Sequence, residues 1–108
     1  MSRTVHILDV AKPDFRDIQR YVKTRFGESV WNEVNQEFKQ TIREIGEHPE
    51  SGAHLAELQT LGLDHFRQRL VRQTRVIYEF DDQQVLVHMF LHTRRNFRNH
   101  LQQRVLGN

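Results

Sequence analysis

The chain alternates hydrophobic and polar positions with two different periods. Segment 4–10 (TVHILDV) is short, apolar and β-branched, which predicts a strand. After it, Phe15, Ile18, Val22 and Phe26 recur at helical spacing. Pro13 suits the first turn of that helix, Asp14 and Asp17 its positive end, and Gly27 a stop. Val30, Val34, Phe38, Ile42 and Ile45 form a second helical stripe, with Trp31 and Thr41 beside it. Ser29 is the expected cap of this helix, and Pro49 ends it by about His48. Two amphipathic helices so close in sequence make an αα-hairpin.

From residue 66 the period shortens to two. Strands are expected at 66–72, 74–80 and 85–91, with the polar DDQQ (81–84) as a hairpin loop. The last of them, VLVHMFL, is almost continuously apolar, as for a central strand buried on both faces. Between the helices and these strands, 50–65 reads as a loop-rich connection anchored to the core by Leu55, Leu58, Leu61 and Leu63. Phe97, Leu101 and Val105 predict a short amphipathic C-terminal helix. The order is β-α-α-β-β-β-α. It predicts one α+β domain over residues 1–108, an antiparallel sheet with the helical hairpin on one face and a short C-terminal helix.

Composition narrows the chemistry. At 37% hydrophobic and 28% charged residues, the chain is a folding one. It has no cysteine, which excludes disulfides, thiolate nucleophiles and Cys-based zinc sites. The sequence holds no HExxH, no acidic or histidine trio at metal spacing and no phosphate-cradling glycine loop, so neither metal nor cofactor is expected. No apolar run approaches membrane-spanning length, and the expected location is cytoplasmic, with no membrane partner.

Charge is unevenly distributed. Residues 1–64 hold 8 Lys and Arg against 11 acids, whereas residues 65–108 hold 8 Arg against 3 acids. The stretch FRQRLVRQTRVIYEF (66–80) alone carries Arg67, Arg69, Arg72 and Arg75. Alternation along the strands puts Arg67 and Arg69 on one face of the first strand, and Arg75 opposite Val76, Tyr78 and Phe80 on the second. Paired as a hairpin, one concave sheet face could collect Arg67, Arg69, Arg75 and Arg94, with His92 near them. Arginines on a sheet face are often merely solvated. Like charges repel, however, and a cluster of four points to a bound anion, either nucleic acid or an acidic protein segment.

The histidines and aromatics carry two readings each. With a reference pKa near neutrality, His92 suits acid–base work on RNA, but it equally suits a hydrogen bond to a backbone group at a strand end. In the third strand, His88, Phe90 and Leu86 are expected to share a face. Trp31 and Phe38 read as core, and Tyr78 as structural on the apolar face.

Three stretches resemble the RelE/ParE superfamily of toxins from type II toxin–antitoxin modules: EIGEHPESG, FRQRLVRQTRVIYEF and VHMFLHTRRNF. The resemblance implies two alternatives. A RelE-like toxin cuts mRNA in the ribosomal A site with basic residues at positions matching Arg67, Arg69, Arg75 and Arg94. The chain lacks the C-terminal tyrosine such toxins often use; His100 lies near that position by count, and His92 is the other candidate. A ParE-like toxin performs no chemistry of its own and interferes with DNA gyrase. The long hairpin and the EHPESG ending favour this branch, with Arg67, Arg69, Arg75, Arg94 and Arg95 as anion- or target-binding residues. Either branch implies a cognate antitoxin bearing an acidic amphipathic segment, and contact with operator DNA only through the antitoxin complex. A non-toxic nucleic-acid-binding module is the remaining reading.

Overall fold

The computed structural model describes residues 2–106, with side-chain placement up to residue 102. β1 (Thr4–Ile7) leads through a 3-10 turn at Asp9–Ala11 into α1 (Lys12–Phe26) and α2 (Glu28–Glu47). A second 3-10 turn, Pro49–Ser51, precedes β2 (Ala53–His54) and α3 (Ala56–Gln59). Then come β3 (Arg67–Val71), β4 (Thr74–Phe80), β5 (Gln84–His92) and α4 (Phe97–Leu106). The fold is α+β, as the two periods predict.

The five strands form one sheet in the order β1-β5-β4-β3-β2. β1 alone runs parallel to its neighbour, and the other pairings are antiparallel, so the sheet is mixed. β5 lies between β1 and β4, and Val85, Val87, Met89, Phe90 and Leu91 are all buried, as its unbroken apolar run requires. β1 reaches only as far as Val87 along β5. Beyond that point the open edge is met by Asp14, whose carboxylate accepts the Phe90 N–H at 3.2 Å. The acid that the helix pattern places at a dipole end therefore also seals a sheet edge.

The helical hairpin turns at Gly27, whose φ of +95° lies in the region that favours glycine. α2 begins at Glu28, so Ser29 sits inside the helix and makes no capping bond; Gly27 occupies the cap position instead. Trp31, Val34, Phe38 and Ile45 pack with Val76, Tyr78, Val85, Val87 and Phe90 into the main core. Phe15 sits against the rings of Trp31, Phe38 and Phe90 at centroid distances of 5.2–5.5 Å. A smaller cluster on the other face joins Leu55, Leu58, Ile77, Met89, Leu91 and Phe97, with Leu101 packed against it.

Three further expectations about the fold need correction. Phe26 does not complete its stripe but stands 57% exposed at the end of α1. Of the four anchoring leucines, Leu55 and Leu58 are buried, whereas Leu61 and Leu63 are exposed at 68% and 42%. The short α3 turns Leu58 inward, and the chain then bends away through Gly62. Finally, β5 carries a bulge: Ile77 faces Met89 and Tyr78 faces Val87, which leaves His88 as the extra residue. The bulge resets the alternation. Phe90 joins the core under the helices, while His88 lies on the other face, 2.6 Å from Glu79. The Val105 position of the C-terminal stripe lies outside the described side chains.

Candidate interaction groove and its arginines

The β3–β4 turn decides where the arginines go. Val71 pairs with Thr74, so the loop is the two residues Arg72 and Gln73, and Leu70 is set opposite Arg75. Residues directly opposite on antiparallel strands share a face. Arg67 and Arg69, opposite Tyr78 and Val76, therefore lie on the face that carries the helices. Arg75 lies on the other face with Gln68 and Ile77. The single concave face holding Arg67, Arg69, Arg75 and Arg94 does not form. Alternation placed Arg75 opposite Val76 and Tyr78, as found, but put Arg67 and Arg69 on the same face as Arg75, whereas the two-residue turn fixes the opposite phase for β3.

Each of the four hairpin arginines is engaged within the chain. Arg67 donates to the carbonyls of Glu50 and Gly52 at 2.8 and 3.0 Å. Arg69 meets Glu44 at 2.7 Å and Ser51 Oγ at 3.2 Å. Arg72 holds both oxygens of Glu37, with Glu33 at 3.8 Å. It sits at φ +52°, an uncommon conformation for a residue with a Cβ, at a turn position that requires positive φ. Arg75 makes a bidentate pair with Glu57 at 3.0 Å, bonds Gln68 at 2.6 Å and lies over the ring of Phe97.

These bonds fasten the EHPESG segment to the sheet. Arg67, Arg69 and the Tyr78 hydroxyl, which donates to the Pro49 carbonyl, all converge on it. Gly52 fits there because a Cβ would collide with the Tyr78 hydroxyl and crowd the Gln68 carbonyl. Tyr78 is structural, as its place on the apolar face predicts, and burial raises its pKa. The hydrogen bonds from Arg69 and Arg75 lower the pKa of Glu44 and Glu57. Glu37 raises that of Arg72.

A groove of about 680 Å³ opens elsewhere, between α1, the start of α2, the β3–β4 turn and the end of β5. Ile18, Val22, Val30, Val34, Val71 and Phe90 give it an apolar lining. Tyr21 and Phe26, 54% and 57% exposed and stacked edge to face, form one lip. Arg94, Arg95, His92 and His100 stand on the opposite side. The bulge in β5 brings His92 here, next to Arg94 and away from Arg75. His92 Nδ1 accepts the Arg94 N–H at 3.0 Å, which is the strand-end hydrogen bond open to it from the sequence. Arg94 and Arg95 are exposed and pair with no carboxylate among the described residues. His100 instead approaches Asp14, at 3.6 Å.

Sequence reasoning missed Glu37, Glu44 and Glu57 as partners, and Tyr21 and Phe26 as groove lips. A signal for the first set was present, since Glu33, Glu37 and Glu44 fall on one flank of α2 by helical spacing. Among the described residues, no group of three or more His, Asp or Glu is placed to hold a metal, and no helix is long and apolar enough to cross a membrane.

Comparison with protein-family models matches residues 5–97 to the ParE toxin of the type II toxin–antitoxin system, parDE. The chain belongs to this toxin family. The match runs from β1 through the first residue of α4, so it spans both the locked hairpin and the groove. A search of curated proteins returned no match. Membership implies an antitoxin partner.

Proposed function

We propose that this toxin arrests growth by acting on DNA gyrase, and that an antitoxin neutralises it by laying an acidic amphipathic segment in the groove. The observation that carries the proposal is the contrast among the arginines. Arg67, Arg69 and Arg75, which an mRNA endonuclease would need free, lie on two faces and hold the fold together. Arg94 and Arg95 remain exposed beside an apolar floor. That combination suits a folding acidic segment, with apolar anchors below and carboxylate–guanidinium pairs at the rim. Arg94 and Arg95 are also the residues offered to the target, so antitoxin and target compete for one surface.

The test adds purified toxin to gyrase and supercoiled plasmid and, separately, to programmed ribosomes. The expected result is gyrase-dependent accumulation of linear cleaved DNA that the antitoxin suppresses, with mRNA intact. Ribosome-dependent mRNA cleavage without any effect on gyrase would overturn the proposal.

A further inference from the structure

The internal ion pairs also shape the outer surface of the helical hairpin. Arg69 and Arg72 draw Glu33, Glu37 and Glu44 to the flank of α2 that faces β3. On the outward side cations outnumber acids, of which Glu47 follows Arg43 by one turn. Lys12, Arg16 and Arg20 stand at i, i+4 and i+8 along α1, and Lys39 and Arg43 at i and i+4 along α2. All five are exposed. At 3.6 residues per turn, Lys39 and Arg43 lie roughly 120° round α2 from the glutamate flank. Arg16 and Lys39 meet no carboxylate among the described residues, and Arg43 donates to neutral Gln40. Lys12 and Arg20 pair with Asp9 and Asp17, whose side chains are 95% and 64% exposed. Such surface pairs are weak and yield to a stronger anion.

We propose that this ridge docks on the phosphate backbone of duplex DNA. The inference rests on the reading of the chain as a gyrase toxin, which would work where DNA is held. The ridge itself excludes other anions. The large exposed hydrophobics are elsewhere: Tyr21 and Phe26 are at the groove, Val10 lines a pocket with Leu63, Ile77 and Met89, and Leu61 and Leu70 are outside the hairpin. A membrane surface or a folding acidic peptide needs apolar anchors, and unpaired bases need an aromatic platform. A regular row of charge needs neither. From Lys12 to Arg20 the ridge runs roughly 12 Å at 1.5 Å per residue. That is the axial length of roughly three to four phosphates on one strand. Gln19, Asn32 and Gln36 lie on the same two helices and can add neutral donors to phosphate oxygens.

Fluorescence anisotropy of the purified toxin with a labelled random-sequence DNA duplex tests the proposal. Binding should weaken with salt. Arg16→Glu with Lys39→Glu should lower affinity at least about tenfold and make the log–log salt slope shallower by roughly 2. The melting temperature and antitoxin affinity of this variant should not change. Arg94→Glu with Arg95→Glu, which changes the net charge by the same amount, should lower duplex affinity less than the ridge variant does. Wild-type affinity in the ridge variant overturns the proposal, as does duplex affinity carried by the Arg94/Arg95 pair. A strong preference for duplex RNA, or binding confined to anionic vesicles, also overturns it. The gyrase reading fails separately: the wild-type toxin would then bind DNA with the expected slope yet trap no cleaved DNA.

Discussion

Arginine does two different jobs at the two ends of the β-sheet connections. In the β3–β4 hairpin, Arg67, Arg69, Arg72 and Arg75 each find a carboxylate or carbonyl supplied by α2, α3 or the segment between them. In the turn after β5, Arg94 and Arg95 find none among the described residues and stand at the rim of an apolar groove. The side chains are chemically identical, and the difference lies in which acids the topology brings alongside. The hairpin packs against a helix whose flank carries Glu33, Glu37 and Glu44, whereas the groove beside the β5–α4 turn is lined by Tyr21 and Phe26. The two acids of the groove are already engaged, Asp14 by the Phe90 N–H and His100, and Asp17 by Arg20. A cluster of cations in a sequence therefore identifies an external anion only after the internal ones have been assigned.

The largest effect should come from the most enclosed of the paired arginines. Arg75 is only 12% exposed and Glu57 31%. Removing Arg75 leaves Glu57 unpaired and strips the cover from Phe97. Arg75→Ala should cost about 2–3 kcal/mol, below the range for a fully buried pair because Glu57 is partly screened. Thermal unfolding would show a drop of roughly 10–15 °C. A negligible shift would place Arg75 with the solvated arginines and erase the distinction. Tyr78→Phe should come next, at about 1–2 kcal/mol, since it leaves the buried Pro49 carbonyl without the hydroxyl that donates to it.

Acidification should act on the hairpin side and at the β4–β5 turn, where the Gln83 and Gln84 N–H groups lower the pKa of Asp81. Glu44 and Glu57 have folded pKa values lowered by Arg69 and Arg75. Their contribution to stability is complete above the ordinary glutamate value of about 4.3. It is lost as pH falls from there through the lowered folded values. The melting temperature should fall through this window, and Glu57→Gln should flatten the decline. An unchanged pH profile in Glu57→Gln would mean that the Arg75 pair contributes nothing to acid sensitivity. At the small end, Arg94→Ala with Arg95→Ala should move stability by less than about 0.5 kcal/mol. Calorimetry on that variant checks it directly.

Much of the fold was legible because the dominant signal, burial, has a period. The stripes of Phe15, Ile18 and Val22 and of Val34, Phe38 and Ile45 reach the core as their spacing requires. The unbroken apolar run of β5 marked it as interior. What was not legible depended on long-range register. A single bulged residue, His88, moved Phe90 and His92 to the helix face, and no local pattern announces it. The two-residue turn at Arg72 and Gln73 placed Arg75 away from Arg67 and Arg69. The groove lips Tyr21 and Phe26 were invisible for a different reason. Phe26 fits the helical stripe, and only the position of the β-hairpin tip shows that nothing covers it. The opposed charges of the two parts of the chain were visible from the outset. Much of that opposition is neutralised inside the fold, with Glu37, Glu44 and Glu57 meeting Arg72, Arg69 and Arg75.

The central claim is that the hairpin arginines hold the fold while the groove arginines meet the partner. Isothermal titration of the antitoxin's acidic segment into Arg94→Ala/Arg95→Ala and into Arg69→Ala, each first checked for folding, tests it most directly. The account predicts that the groove variant loses about tenfold or more in affinity, equivalent to about 1.4 kcal/mol, with its melting temperature unchanged. It also predicts that Arg69→Ala binds normally and melts earlier. Unchanged affinity in the groove variant, together with lost affinity in a well-folded Arg69→Ala, would contradict the account.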